Sequence, residues 1–372
     1  MPLAPEHVTI DNEQISPLSR QESPYSASYK SKKLVGTLKD KKKYVVHYQT
    51  LKLYLSLGLR VTRLHRVLVF KQEPFMREYI SHLASLRANS QNQFEKSCLK
   101  KLANSNYGKM IEDVRKYKEV KICQSRNSLL RHMSSPFFES FKVYSEKLVL
   151  CFMRKKKVVF KSCHAIGLAI LDLSKLHMFD LYYNYILPQT ELSPIDNSLS
   201  IMMSDTDSFL FYFKNKTTAQ FLKDIEPIMD FSNYPTDHQL FSKERAGHLG
   251  YLKDEMKGEP MKGVVALKSK CYSIKVKRES INKCKGIPKV ATGKLKFKHY
   301  KKSLFNRTHI FSTFSKINSK DHRVTTTSFK RKSLSCYDDK RYYLCDIHSL
   351  PYGHYKLRKL KDGVKCHLPH RD

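Results

Sequence analysis

Two aspartates separated by one residue form the pattern in this sequence that most directly indicates chemistry. They are Asp205 and Asp207 in the stretch SDTDSFLFYF, between an apolar run at 201–203 and an aromatic run at 209–213. Apolar and aromatic runs on either side of a polar turn predict a β-hairpin that carries both carboxylates at its tip. Carboxylate oxygens are ligands that Mg²⁺ prefers, so the turn is a candidate metal site.

A second pattern lies in FEKSCLKKLANSNYGK, which we interpret as a helix. At about 100° per residue, one sector of about 80° holds four polar side chains, which are Lys96, Lys100, Asn104 and Tyr107. The opposite side holds four apolar side chains that we expect to pack on the fold, namely Phe94, Cys98, Leu99 and Leu102. Lys96 and Lys100, one turn apart, suit a triphosphate as point charges, and Gly108 lets another backbone approach closely. The alternative is a solvated basic face.

The charge of the chain indicates a polyanionic partner. Its 372 residues include 69 Lys and Arg against 34 Asp and Glu, a formal net charge of +35, which favours nucleic acid or an anionic membrane. The longest apolar stretch, CHAIGLAIL, is about half of a bilayer-spanning helix, and the amino-terminal sequence MPLAPEHVTIDNE has no secretory pattern. Nine cysteines without a CxxC pair suit a reducing, intracellular compartment. We therefore expect a nucleic-acid partner and no membrane.

These side chains need elements to position them, and the sequence predicts an α+β fold. After a poorly structured lead-in to residue 45, helices are expected at Tyr48–Leu57 (closed by Gly58), at 74–87 after Pro74, at 92–114, at 165–186 and at 217–230. Strands are expected at 59–70, 117–123, 141–153, 155–162, in the acidic hairpin and within 247–275. The lysine-rich tail from 283 shows no clear period.

Both motifs together resemble a known family. KKLANSNYG fits the pattern Lys-x-x-x-Asn-Ser-x-Tyr-Gly, and DTDS follows about a hundred residues later; they are similar to the B and C motifs of family B DNA polymerases. The resemblance is to the protein-primed branch of viruses and Maverick/Polinton-type transposons. It extends through PLAPE, SPY, YVVHY, LKLYLSLGL, LDLSKL, LKDE…GEP, DDKRYY and YGHYK, in the same order. It implies a right-hand polymerase fold: a partial palm with an antiparallel sheet, two-helix fingers and a thumb.

The resemblance also implies roles for individual residues. Asp207 would ligate two Mg²⁺ ions, with Mn²⁺ as a substitute, and Asp205 would support that site. Lys96, Lys100 and, more weakly, Arg87 would hold the incoming deoxynucleoside triphosphate, and Asn104 and Tyr107 would line the nascent pair. The remaining implied contacts are to primer-template DNA, from Gly108, Ser208 and the Lys-x-Tyr residues Lys270 and Tyr272. A terminal priming protein is a further implied partner, and the nucleus or a viral replication site the implied location.

The same resemblance divides the chain into five segments. They are a lead-in (1–45), a palm part (46–72), the fingers (73–115), the palm with the hairpin (116–275) and the thumb with a basic tail (276–372).

One part of the implied site is missing from the sequence. A second aspartate would come from motif A, followed by a Tyr-Pro or Tyr-Gly step, and neither Asp11 nor Asp40 has that context. MPLAPE resembles family sequence just downstream of motif A, and the exonuclease domain is absent too. Asp224 and Glu226 have the DxE form but follow the hairpin, so we interpret them as a solvated face. We therefore expect either a fragment or a decayed copy.

Other clusters have simpler interpretations. The spacing of the carboxy-terminal Cys and His residues fits no zinc template; they are Cys336, Cys345, His348, His354, Cys366 and His367. RKKK at 154–157 and KRK at 330–332 are interpreted as phosphate-facing loops, with nuclear import as the alternative. The aromatic run at 209–213 is interpreted as palm core, with base stacking as the alternative.

Three functions remain open at this point. The first is a DNA polymerase, and the second is a nucleic-acid-binding remnant that no longer turns over. The third is a metal-dependent glycosyltransferase using the DxD turn, which predicts a sugar-nucleotide domain before the turn, where the phosphate-facing helices lie instead. A motif A aspartate encoded upstream of Met1 would favour the first over the second.

Overall fold

The computed structural model describes residues 5–10, 31–191, 199–213, 217–277, 280–320, 323–344 and 349–357. The chain forms two compact units, which we name the central unit (Val45–Leu181) and the flanking unit (Met1–Tyr44 with Tyr182–Asp372). Mixed helices and small antiparallel sheets agree with the predicted α+β class.

The helices are α1 Tyr48–Ser56, α2 Arg77–Asn89, α3 Gln93–Met110, α4 Arg126–Met133, α5 His164–Asp180, α6 Pro188–Glu191, α7 Thr218–Asp224, α8 Lys289–Gly293 and α9 Phe297–Phe305. Short 3-10 helices span Val114–Lys116 and Glu226–Ile228, and a π-helix spans Leu181–Ile186. The strands are β1 Pro5–Ile10, β2 Ser31–Gly36, β3 Lys118–Cys123, β4 Phe138–Ser145, β5 Leu148–Arg154, β6 Leu199–Ser204, β7 Phe209–Phe213, β8 Gly263–Lys268, β9 Cys271–Lys275, β10 Ser280–Cys284, β11 Ile310–Lys320, β12 Arg323–Leu334, β13 Tyr342–Tyr343 and β14 Ser349–Leu350. Among the described residues, no helix combines the length and apolar content needed to cross a bilayer.

A buried aspartate ties α1 to α5 in the central unit. The Asp172 carboxylate accepts a hydrogen bond from the His47 backbone N–H at 2.7 Å, at the start of α1. Its backbone oxygen accepts from the Thr50 hydroxyl at 3.3 Å. A helix start leaves backbone N–H groups unsatisfied, so a carboxylate from a neighbouring helix stabilises it. α1 ends as predicted, with Gly58 at a φ of +90°, in the left-handed region that glycine tolerates.

The predicted strand at 59–70 is wrong. Residues 59–76 adopt no strand, and every residue from 59 to 70 is exposed, Val69 to 89 %. Alternating apolar residues favour a strand only where a neighbour completes the hydrogen bonds, and no described strand pairs with this segment. The two helices expected next are present as α2 and α3.

The predicted apolar back of α3 is only partly correct. Cys98 and Leu99 are half-buried, but Phe94 is 76 % exposed and Leu102 48 % exposed. α3 packs on α2 and α5 within the central unit, so only a narrow stripe of its surface is covered. A helical pattern indicates which residues share a face, but the area that a neighbour covers depends on tertiary packing.

The other element of the central unit is the antiparallel sheet β3–β5–β4. It confirms the strand expected at 117–123. The single strand expected at 141–153 is wrong, because this segment folds as the hairpin β4–β5 with a turn at Glu146 and Lys147. The strand expected at 155–162 is wrong, because β5 ends at Arg154 and the three lysines that follow are exposed. RKKK therefore lies at the end of a strand and in the loop after it.

The flanking unit contains the hairpin β1–β2, the acidic hairpin β6–β7, the sheet β10–β9–β8 and the long ribbon β11–β12. The expected poorly structured lead-in is therefore wrong for β1 and β2, which pair and bury Ile10 and Val35. α9 packs on β8 and β9, around a core of Val265, Leu267, Cys271, Cys284, Leu295, Tyr300 and Leu334. The segment expected to carry strands, 247–275, does so from Gly263 onward. KRK lies within β12 and not in a loop, which corrects that interpretation.

Candidate active site

The acidic hairpin has the predicted form, with both aspartates in its turn. Ser204 and Phe209 close the strands β6 and β7. The Asp205 N–H donates to the Ser208 carbonyl at 3.0 Å, and the Asp207 N–H donates to the Asp205 carbonyl at 2.7 Å. Thr206 has a φ of +62°, a strained value for a β-branched residue. Tight backbone bonding therefore holds the two carboxylates at the end of a stiff support.

Aromatic rings anchor this hairpin from behind. Phe211 stacks on Tyr182 at 6.4 Å between ring centroids, and Phe213 stacks on Phe221 at 5.0 Å. Phe209 lies 6.0 Å from the Tyr182 ring. These alternate residues of β7 share one face, and that face packs on other side chains of the flanking unit.

A lysine from a second hairpin contacts the first aspartate. Lys268 pairs with Cys271, so Ser269 and Lys270 form the two-residue turn between β8 and β9. Lys270 has a φ of +59°, and its ammonium nitrogen lies 2.9 Å from Asp205 Oδ1. The lysine side chain is 49 % exposed, so water screens the pair and its net contribution to folding is small. Its importance is positional, because it places a cation on the carboxylate turn.

Charges near the acidic turn also affect Tyr272, the second residue of β9. Burial raises the pKa of Tyr272, the negative charges of Glu255 and Asp205 add to this effect, and Lys270 opposes it. The phenol therefore keeps its proton and remains a hydrogen-bond donor at neutral pH. Glu255 is a neighbour that our sequence reasoning did not single out.

Asp207 differs from Asp205 in its surroundings. It is exposed, and no ion pair or side-chain hydrogen bond joins its carboxylate to another described residue. Within the described ranges, no three His, Cys, Asp or Glu side chains converge as a metal-binding group. Proteins hold Mg²⁺ through one or two carboxylates together with substrate phosphates. The turn therefore fits an ion shared with a substrate, whereas a two-ion cage needs a further carboxylate.

The polar face of α3 is the second candidate region, in the central unit. Lys96 and Tyr107 are half-buried, and Lys100 and Asn104 are exposed. Neither lysine forms an ion pair with any described residue, nor does Arg87 in the last turn of α2. Unpaired cations on one helical hairpin form a site for an anion. A side chain added at Gly108 would meet no described atom within 4 Å, so the helix is open there.

Comparison with known proteins gives one match. Residues 3–178 match the family model of DNA polymerase type B, organellar and viral. The match covers a little under half of the chain, includes α2 and α3, and ends before the acidic hairpin. It supports this polymerase family and indicates DNA synthesis as the general activity, with template-primer DNA and nucleotides as substrates. No curated protein and no solved structure matches the chain.

The sequence located the two elements that carry the candidate residues but not the contacts of these residues. It predicted the hairpin that carries Asp205 and Asp207 and the helix that carries Lys96 and Lys100. It did not predict that Lys270 contacts Asp205. A lysine at the turn of a second hairpin was the available signal, but the partner lies 65 positions away in the chain and no local pattern encodes such a pairing.

Proposed function

We propose that this chain serves template-directed DNA synthesis by two-metal nucleotidyl transfer. The fold is that of a right hand, with palm, two-helix fingers and thumb, and the branch is the protein-primed one. The observation that carries the proposal is the turn with Asp205 and Asp207, held rigidly and contacted by Lys270. The polymerase match over the preceding part of the chain supports it.

Each residue of the two candidate regions has a task that suits its chemistry. Asp207 offers its unpaired carboxylate as a metal ligand, and Asp205 orients Lys270 toward the primer terminus, with the Tyr272 phenol as a donor beside it. Lys96, Lys100 and Arg87 bind the triphosphate of the nucleotide, and Asn104 and Tyr107 line the new base pair. Mg²⁺ ions held by Asp207 would supply charge that reduces the repulsion between primer and nucleotide.

The two-metal site needs one more carboxylate than the hairpin supplies. The family draws it from motif A, for which the 372 residues offer no candidate with the right context. We therefore propose that the active form includes a motif A segment in addition to these 372 residues. The primer itself is proposed to be a terminal protein, as in the protein-primed branch.

Primer extension tests this proposal. The chain alone and the chain joined to a motif A segment are each compared with their Asp207→Ala variants, in Mg²⁺ and with all four nucleotides. We expect extension only from the longer form and none from its variant. Extension by the short chain that Asp207→Ala abolishes would show that another carboxylate completes the site. A folded longer form without activity would instead support a nucleic-acid-binding remnant.

A further inference from the structure

Two buried cysteines face each other in the sheet behind Lys270. Cys271 on β9 and Cys284 on β10 are direct partners in the antiparallel register. They are 1 % and 8 % exposed, and both belong to the core of the flanking unit. Both are thiols in this structure.

The hydrogen-bond pattern defines how close their backbones lie. The Lys285 N–H donates to the Lys270 carbonyl at 3.0 Å, so Lys270 and Lys285 are a hydrogen-bonded pair. Such pairs alternate with non-hydrogen-bonded pairs along an antiparallel ladder, and Cys271–Cys284 is the next pair. The Cα atoms of a non-hydrogen-bonded pair are about 4.5 Å apart, within the span of about 4.4–6.8 Å that a disulfide bridges.

The neighbouring pair on the same face confirms this closeness. Ser273 and Asn282 lie two positions along the ladder, and their side-chain oxygens are 2.6 Å apart. Side chains of directly opposite residues on this face therefore touch.

We propose that Cys271 and Cys284 form a redox modification site, which a peroxide converts into a cross-strand disulfide. A dithiol reverses the change. The proposal concerns these two side chains only and does not depend on the chain being a polymerase.

The reaction begins at Cys284. β10 is an edge strand of its sheet, and Cys284 is the more exposed of the two thiols. The contact with Cys271 lowers the pKa of Cys284, which burial opposes and Lys268 assists. The Cys284 thiol itself donates to the Ser333 carbonyl at 3.0 Å, so it must leave this bond to react. The thiolate is the reactive form.

The electrons and atoms balance in two steps. The Cys284 sulfur attacks one peroxide oxygen and becomes a sulfenic acid, while the other oxygen leaves as hydroxide and is protonated to water. The Cys271 sulfur then attacks the Cys284 sulfur, the S–O bond breaks, and a second water forms. Two thiols and one hydrogen peroxide thus give one disulfide and two waters.

The disulfide would act on the candidate active site through one strand. Cys271 lies between Lys270 and Tyr272 in the chain, and Lys270 contacts Asp205. A covalent link from Cys271 to β10 fixes the end of β9 that presents these side chains.

The central unit supplies an internal comparison. The sulfurs of Cys123 and Cys151 are only 3.5 Å apart and both side chains are buried. However, Cys123 is directly opposite Val149, so the two cysteines are diagonal neighbours. Diagonal positions are about 7–8 Å apart, and cysteines with Cα atoms beyond about 7 Å do not bridge without backbone movement. Sulfur contact alone therefore does not make a disulfide site.

Peptide mapping of the oxidised chain tests the proposal. The full folded chain is treated with hydrogen peroxide, its remaining thiols are alkylated, and monomer is digested without reduction. We expect linked peptides joining Cys271 to Cys284, at least about tenfold more abundant than peptides joining Cys123 to Cys151, and their loss after dithiothreitol. Cys123→Ser should leave the link intact, and Cys284→Ser should abolish it.

Thermal unfolding gives a second readout that does not depend on any variant. The oxidised wild-type chain should unfold several degrees above the reduced chain. A temperature shift of this size is expected for a disulfide that closes the short loop between Cys271 and Cys284. Two results would overturn the proposal. One is recovery of Cys271 and Cys284 as alkylated thiols or sulfonic acids, and the other is equal linkage of the diagonal pair.

Discussion

At the scale of single residues, the two aspartates of the turn have different environments despite their spacing. The Asp205 carboxylate is paired with Lys270, whereas the Asp207 carboxylate is exposed and has no partner among the described residues. A lysine on a carboxylate turn competes with any cation that binds there. We therefore infer that Lys270 moderates the affinity of the turn for metal until primer DNA draws its ammonium away.

Removing that ammonium should strengthen metal binding. For Lys270→Ala, the affinity of the turn for Mn²⁺ should rise about three- to tenfold, because a unit charge a few ångströms away in a hydrated site is worth about 1 kcal/mol. Electron paramagnetic resonance of free Mn²⁺ measures this. Lys275→Ala, which removes an exposed lysine at the other end of β9, is the control. Unchanged or weaker binding in Lys270→Ala would contradict the competition.

At the scale of elements, α3 and α5 of the central unit pack closely at one glycine. A Cβ added at Gly167 would lie 2.0 Å from Ile111 Cγ2, whereas one added at Gly108 would meet nothing within 4 Å. Gly167→Ala should lower the free energy of unfolding by about 1–3 kcal/mol through overpacking. Gly108→Ala should raise it by about 0.5–1 kcal/mol, because alanine suits a helix interior better. Urea unfolding compares them, and equal effects of the two changes would contradict this packing.

The polar face of α3 makes a second prediction at this scale. Lys100→Ala should weaken the binding of a deoxynucleoside triphosphate at least about tenfold, because a charge-assisted contact is lost. Lys101→Ala removes the same charge about 100° around the helix and should have little effect. Equilibrium dialysis with Mg²⁺ measures both, and equal losses would identify a general basic surface.

The sequence predicted these elements unevenly, and the reason is physical. Strong local signals gave α1 with its Gly58 end, the helical hairpin α2–α3, the long helix α5 and the acidic turn. Residues 59–70 and 155–162 contain β-branched and aromatic residues that favour strands but have no described partner to complete the hydrogen bonds. The exposure of Phe94 and the contact of Lys270 with Asp205 depend on which elements meet, which spacing along the chain does not encode.

At the scale of the whole molecule, the dominant property is the net charge of +35. Affinity for primer-template DNA should fall about a thousandfold or more as salt rises from about 50 to about 200 mM, because counterions are released from several phosphates. Fluorescence anisotropy measures the slope, with heparin as competitor. A flat dependence, or no competition, would contradict a nucleic-acid partner.

The central claim is that the acidic turn serves template-directed DNA synthesis, and the choice of nucleotide tests it most directly. The chain joined to a motif A segment is given four primer-templates that differ only in the next template base, with one nucleotide at a time in Mg²⁺. The account predicts addition mainly of the complementary nucleotide on each template, and no addition by the Asp207→Ala variant. Addition that ignores the template, or that survives Asp207→Ala, would contradict it.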